Sequence, residues 1–283
     1  PKILDLQKSQ PAIVYINGNY WGIYNIRTKY DETYFKNKYN INEDDLVVLK
    51  NPSGDIGQPV DIGFAGDELS FCKLFDFIKN NDMRIEQNYR YIQTLMDVDN
   101  YIEYNILEIF CGNDDWPANN VRAWRKRTSK YESNAPYGHD GRWRWLVFDL
   151  DCGFGLFGKS YKNNTLAMAT AEGSTEWRNT DQYTIMLRKL LQNDEFKTKF
   201  INRFVELLNT RYYEYTVVEK LDEFRKIYAP YIPDHINRWK LHKENIENWE
   251  TEIRSMREYA LRRPNAIREH ICEYFGINIS ELK

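Results

Sequence analysis

The sequence predicts an α+β fold with two lobes, a small strand-rich N-terminal part and a mainly helical C-terminal lobe. Three observations carry that expectation. Apolar residues alternate on either side of Asn17-Gly18-Asn19, the spacing changes to threes and fours from about residue 67, and a further pair of alternating segments interrupts the helical body. The 283 residues are read as a single folding unit. Within it, residues 1–66 form the N-terminal portion, 67–283 the helical lobe, and 120–151 a hairpin inserted in that lobe.

In AIVYINGNYWGIYNIR the Asn-Gly pair supplies the positive backbone angles of a tight turn, so strands are expected near 11–17 and 20–28. DETYFKNKYN opens with acids and carries aromatics at helical spacing, and DLVVLK follows as a strand. Residues 51–66, with Pro52, Gly54, Gly57, Pro59, Gly63 and Gly66, read as a loop. GDELSFCKLFDFIKNND and NYRYIQTLMDVDNYIEYNILEIFCGN predict three core helices, with Asp67 and Asp97 or Asp99 as caps. The inserted hairpin is NVRAWRKR and GRWRWLVFDLD, joined through His139-Asp140-Gly141. From about Thr184 to Tyr274 helical periodicity resumes, broken at Pro230, Pro233 and Pro264. The mixed charges of HKENIENWETEIRSMREYALRR read as a solvated helix face.

A formal net charge of -3 offers no basic face to nucleic acid, and that partner class is set aside. No apolar run reaches the roughly 18–20 residues of a membrane span, and PKILDLQKSQ lacks the apolar centre of a signal peptide. The chain starts without Met and enters a strand almost at once, as expected of a fragment whose upstream part, with any secretion signal, lies elsewhere. Cys72, Cys111, Cys152 and Cys272 stand far apart without a CxxC pair, and are expected as buried free thiols rather than zinc ligands. His139, His235, His242 and His270 lack metal-ligand spacing.

Two segments concentrate hard oxygen ligands at strand ends, NDDWPANNVRAWR (113–125) and WRWLVFDLDCGFG (143–155). Asp115 and Asn120 reproduce the Asp-x4-Asn spacing of a phosphotransferase catalytic loop. There the Asp orients the acceptor hydroxyl and takes its proton, while the Asn oxygen reaches a divalent metal. Asp149 and Asp151 then stand where a kinase places its metal-binding Asp, just past a returning strand. Strand periodicity is expected to put both carboxylates on one face. Magnesium suits one or two carboxylates, an amide oxygen, waters and phosphates. Carboxylates so close raise each other's pKa unless a cation lies between them. The bland alternative is that such residues cap turns through local hydrogen bonds, and Asp114 is assigned that role.

YINGNYWGIYNIR, DVDNYIEYNILEIFCGNDDWPANNVRAWR and GRWRWLVFDLDCGFG, three ordered blocks between about residues 11 and 158, together resemble the CotH family. These are atypical kinases named for a bacterial spore-coat protein and found also in secreted and surface proteins. The resemblance implies an atypical protein-kinase-like fold that uses ATP with Mg2+ or Mn2+ to phosphorylate Ser or Thr of a protein substrate, in an extracytoplasmic or cell-surface location. Carried over by position, Asp115 would be the catalytic Asp, Asn120 a metal ligand, and Asp149 or Asp151 the metal-binding acid. Asp151-Cys152-Gly153 stands where protein kinases have Asp-Phe-Gly, which leans toward Asp151.

Family members often carry a Glu where GIYNIRTKYD has Thr28, and no Gly-rich phosphate loop is evident. Arg27 and Lys29 are the candidate cations for the ATP phosphates. The departure at Thr28 keeps a second class open, a non-catalytic surface binding or assembly module that retains the fold. Metal-dependent hydrolysis, a third class, fits the carboxylates but not the Asp-x4-Asn register. Trp143 or Trp145 is the candidate to stack on adenine, weighed against core packing. Arg122, Arg125 and Arg144 are weighed as phosphate binders against solvated strand faces. Gly153 and Gly155 are expected to permit a tight turn and close backbone approach.

Overall fold

The structure, a computed structural model, describes residues 4–240 and 245–282. After β1 (Asp5–Leu6), the chain forms an antiparallel hairpin of β2 (Ser9–Ile16) and β3 (Asn19–Arg27). Its turn holds Asn17 at φ 51° and Gly18 at φ 79°, the left-handed angles that the Asn-Gly pair predicts. α1 (Glu32–Tyr39) starts at Asp31, whose carboxylate accepts from the Tyr34 N–H, and stops at Asn40 in the left-handed region. β4 (Leu46–Lys50) follows with its first four residues buried. β5 (Val60–Ile62) lies inside the segment expected as loop; three residues among prolines and glycines are too few for alternation to register.

The three core helices are α2 (Leu69–Asn80), α3 (Glu86–Leu95) and α4 (Val98–Cys111). Asp97 caps α4 by accepting from the Asn100 N–H at 3.1 Å, and Gly112 ends it at φ 65°. Asp99 instead sits in the first turn, 3.7 Å from Lys199. Asp67 accepts from the Phe64 N–H and pairs with Arg127, so it fastens a loop to a strand rather than capping α2. On α4 only Asp99 and Leu107 escape full burial. A helix buried on all sides is the central strut of its lobe.

β6 (Arg122–Lys126) and β7 (Arg144–Val147) pair as expected, but they belong to one five-stranded sheet ordered β1-β7-β6-β4-β5. This corrects the picture of a hairpin lodged among helices. β4, apolar at four successive positions, needs a partner on each side, and β6 with its buried Ala123 and Trp124 provides one. The register Lys50↔Arg122 and Arg122↔Leu146 brings the end of β4, the start of β6 and the end of β7 to one edge of the sheet. β1 runs parallel to β7 and ends there too. That edge carries the candidate site.

The remaining helices are α5 (Thr165–Ala169), α6 (Asp181–Leu190), α7 (Asp194–Leu208), α8 (Glu214–Tyr228), α9 (Ile232–Trp239) and α10 (Ile246–Phe275). Pro230 and Pro233 fall at the α8–α9 junction as expected, whereas Pro264 lies inside α10 without ending it. Burial of Tyr259, Ala260, Ala266 and Ile267 around it offsets the ~3 kcal/mol that an interior proline costs a helix. Residues 241–244, which include His242 and the start of the mixed-charge segment, lie outside the described residues. The cysteines are free thiols, Cys72 and Cys111 buried, Cys152 and Cys272 half-buried. Among the described residues no helix is long and apolar enough to cross a membrane. The architecture is the two-lobed α+β fold that the sequence predicts, strand-rich first and mainly helical after.

Candidate active site

Three residues at the shared edge of the sheet have left-handed backbone: Asn51 after β4 (φ 45°), Asn120 before β6 (φ 56°) and Asp149 after β7 (φ 57°). Asn and Asp adopt that conformation more readily than other side chains, which is the local reason for their presence where the chain leaves the sheet abruptly. Asn51 locks the junction. Its backbone N–H donates to the Val121 carbonyl at 2.6 Å, and its Oδ1 accepts from the Val121 N–H at 3.0 Å. Its Nδ2 donates to Asn119 Oδ1 at 3.4 Å. Asn119 and Asn120 in turn donate from Nδ2 to the same oxygen, Asp115 Oδ2, at 3.0 and 2.9 Å. Asp115 is therefore aimed by two side-chain amides. Its other oxygen, Oδ1, is buried without a protein donor. Asn120 commits its amide nitrogen to Asp115, which leaves its amide oxygen to other partners.

β7 ends at Val147, so Asp149 and Asp151 lie beyond the strand and the period-two expectation does not apply to them. A turn brings them together instead. The Gly153 N–H donates to the Leu150 carbonyl, the Phe154 N–H to the Cys111 carbonyl at 2.8 Å, and the Asp114 N–H to the Cys152 carbonyl at 3.1 Å. A Cβ on Gly153 would stand 2.9 Å from the Cys111 oxygen, so glycine alone lets this turn close onto the end of α4. Desolvation first, then the charge of Asp151, a hydrogen bond shared with it, and the charge of Asp115 push the Asp149 carboxyl above its ordinary range, while Arg27 opposes them. Burial, followed by the charges of Asp115, Asp151, Asp114 and Asp149, likewise pushes the Cys152 thiol up. Four acids therefore surround one turn.

Arg27, at the end of β3, is near enough to these acids for its charge to act on Asp149. Lys29 is not: its ammonium lies 3.9 Å from Asp31 at the start of α1, and its side chain is 83% exposed. Thr28 closes the base of the hairpin, donating its N–H to the Lys8 carbonyl at 2.9 Å and accepting from the Lys8 N–H at its hydroxyl. Asp114, expected to cap a turn through a local hydrogen bond, instead pairs across the chain with Arg178 at 2.5 Å and Lys159 at 3.2 Å.

Trp143 and Trp145 are 1% and 3% exposed. Both rings pack edge-on against Phe71, and Trp145 lies 4.4 Å from the ring of Tyr101. This corrects their assignment to adenine: Trp145 from β7 and Trp143 just before it point into the layer of α2 and α4, where each edge contact is worth ~0.5–1.5 kcal/mol beyond its buried area. Arg144 is likewise no phosphate binder, being fully buried between Asp140 and Asp97. Arg122 pairs with Asp61 over the Phe148 ring, and Arg125 donates to the Lys126 and Thr128 carbonyls.

The sequence reading misses Asn51, Asn119, Lys159 and Arg178. Asn119 was within reach, since it adjoins Asn120 in the same motif. Asn51 sits in a stretch whose prolines and glycines announce only a loop, and the two cations lie in segments without a motif.

Among the described residues no group of three or more His, Cys, Asp or Glu side chains is arranged to hold a metal ion. The oxygen donors on this edge are two carboxyls and an amide, a set that suits a hard divalent cation completed by water and phosphate. The crowding of Asp149 against Asp151 and the orphaned Asp115 Oδ1 are both features that a nearby cation relieves. The sequence model of a family described as CotH kinase protein matches residues 3–267. No curated protein matches the chain.

Proposed function

The chain belongs to the CotH kinase family, and from that membership we propose that it is a metal-dependent phosphotransferase that moves the γ-phosphate of ATP to Ser or Thr of a protein substrate. The observation that carries this reading is the gathering of Asp115, Asp149, Asp151 and Arg27 about one turn at the sheet edge, with Asn120 tied to Asp115. Asp115, aimed by Asn119 and Asn120, orients the acceptor hydroxyl and takes its proton. Asn120 through its amide oxygen, with Asp149 and Asp151, would hold Mg2+ or Mn2+. When bound, the ion supplies positive charge to the phosphate oxygens. Arg27 serves as the protein's own cation toward the same phosphates. Because burial and the charge of Asp151 push the Asp149 carboxyl above its ordinary range, metal binding competes with protons and weakens in acid. A protein substrate outside the cytoplasm or at the cell surface goes with this reading.

The test is transfer itself. The purified chain is incubated with ATP, Mn2+ or Mg2+ and a Ser/Thr-rich acceptor protein, and phosphorylated residues are located by mass spectrometry. Phosphoserine or phosphothreonine on the acceptor or on the chain, abolished by a chelator, is the expected result. Phosphate released to water with no residue modified would favour hydrolysis. Neither product would leave the binding or assembly module that Thr28 keeps open.

A further inference from the structure

Glu108, in the last turn of α4, is completely buried, and no cation pairs with it among the described residues. Its Oε2 accepts from Asn113 Nδ2 at 2.9 Å. Its other oxygen, Oε1, and the other atom of that amide, Asn113 Oδ1, are both buried with no donor. A proton between them satisfies both acceptors at once, whereas the nearby Tyr104 hydroxyl, also buried without a partner, can serve only Oε1 and would leave Asn113 Oδ1 orphaned. We propose that Glu108 is protonated in the folded protein and forms a cyclic acid–amide pair with Asn113, Oε1–H donating to Oδ1 while Nδ2–H donates to Oε2, and that this pair is the positioning element of the catalytic loop.

The location fits that role. Asn113 and Trp116 flank Asp114 and Asp115, and both are buried, at 1% and 2% exposure. Trp116 stands edge-on to Tyr104, one helical turn before Glu108, so the loop is seated at both ends on the same buried cluster. The groups facing Glu108 argue against an ionised carboxyl. Tyr104 and Cys111 on its own helix are neutral in the ordinary pH range, and Asp115 on the loop is an acid. Arg263, from α10, spends its donors on the carbonyls of Ile109, Phe110, Tyr161 and Asn163 and on Thr165. Burial pushes the Glu108 carboxyl up to about 8 against the hydrogen bond from Asn113 and the nearby Tyr104 hydroxyl, with the charge of Asp115 adding to the rise.

The consequence for catalysis rests on the proposed phosphotransfer, whereas the protonation state does not. Glutamine reproduces both bonds of the pair without titrating. A carboxyl whose pKa is raised on folding stabilises fully below its unfolded value, and that stability is lost as pH rises through the folded one, here between about 4.5 and about 8. Glu108→Gln is therefore expected to match wild type in Tm near pH 5 and to exceed it increasingly toward about pH 9. Wild type should also show the infrared carbonyl band of a protonated buried carboxyl at neutral pH, absent from Glu108→Gln. In the transfer assay Glu108→Gln should keep kcat within about twofold at neutral pH and hold it above pH 8, where wild type declines. Parallel Tm curves, or no such band in wild type, would overturn the proposal. Both readouts stand if wild type transfers no phosphate, so failure of the kinase reading is distinguishable from failure of this one.

Discussion

Asp115→Asn is expected to lower phosphoryl transfer at saturating ATP by about 10²- to 10⁴-fold, the range that a positioned general base contributes. Nucleotide binding and Tm should change little. An asparagine Oδ1 at this position can still accept from the Asn119 and Asn120 amides, so the loop keeps its shape while losing the group that takes the proton. The measurement is kcat with ATP in excess, alongside thermal unfolding of the same preparation. A variant that keeps transfer within tenfold would remove Asp115 from its role.

Arg144→Met should cost about 3–5 kcal/mol of unfolding free energy, read by urea denaturation near neutral pH, because it strands buried acids. The guanidinium donates to both oxygens of Asp140 at 2.9 and 2.7 Å and lies 3.0 Å from Asp97. It also stacks on Tyr137, with 4.5 Å to the ring centroid. Methionine fills much of the volume but leaves, among the described residues, the half-buried Arg142 as the one cation paired with the two acids. Against its burial, the hydrogen bonds and charge of Arg144, with those of Arg142, hold the Asp140 carboxyl below its ordinary range. A depressed carboxyl stabilises above its unfolded pKa and loses that contribution as pH falls through the folded value. The gap between wild type and variant should therefore narrow in acid. A loss under about 1 kcal/mol at neutral pH would mean that the network relaxes without Arg144.

The parts of the fold that were legible from the sequence are those whose signals are local. Asn17-Gly18 marks its hairpin because only a few residue types take those backbone angles, and α2 to α4 announce themselves by apolar spacing along a single segment. That β6 pairs with β4 was not legible, since a ladder partner more than 70 residues away leaves no trace in either strand. The site shows the same division. Asp115 and Asn120 could be picked out by spacing, and the structure joins them by a hydrogen bond. Asp149 and Asp151 could be picked out as acids, yet a turn rather than a strand brings them together, and only the glycine at position 153 hints at it. For Trp143 and Trp145 the alternation allows either sheet face to be the ligand face, and the choice is made by which helices cover it. Glu108 gave no signal at all, because a buried acid inside an apolar helix is visible only as burial.

Calorimetric titration of ATP into the chain, with and without Mg2+ or Mn2+, on wild type, Asp115→Ala and the Asp149→Ala/Asp151→Ala double variant, addresses the metal and nucleotide site without needing a substrate. Binding that requires the metal, persists in Asp115→Ala and disappears in the double variant is the expected outcome. A well-folded wild type that binds no ATP with either metal would contradict the phosphotransferase reading and leave a binding module built on this fold.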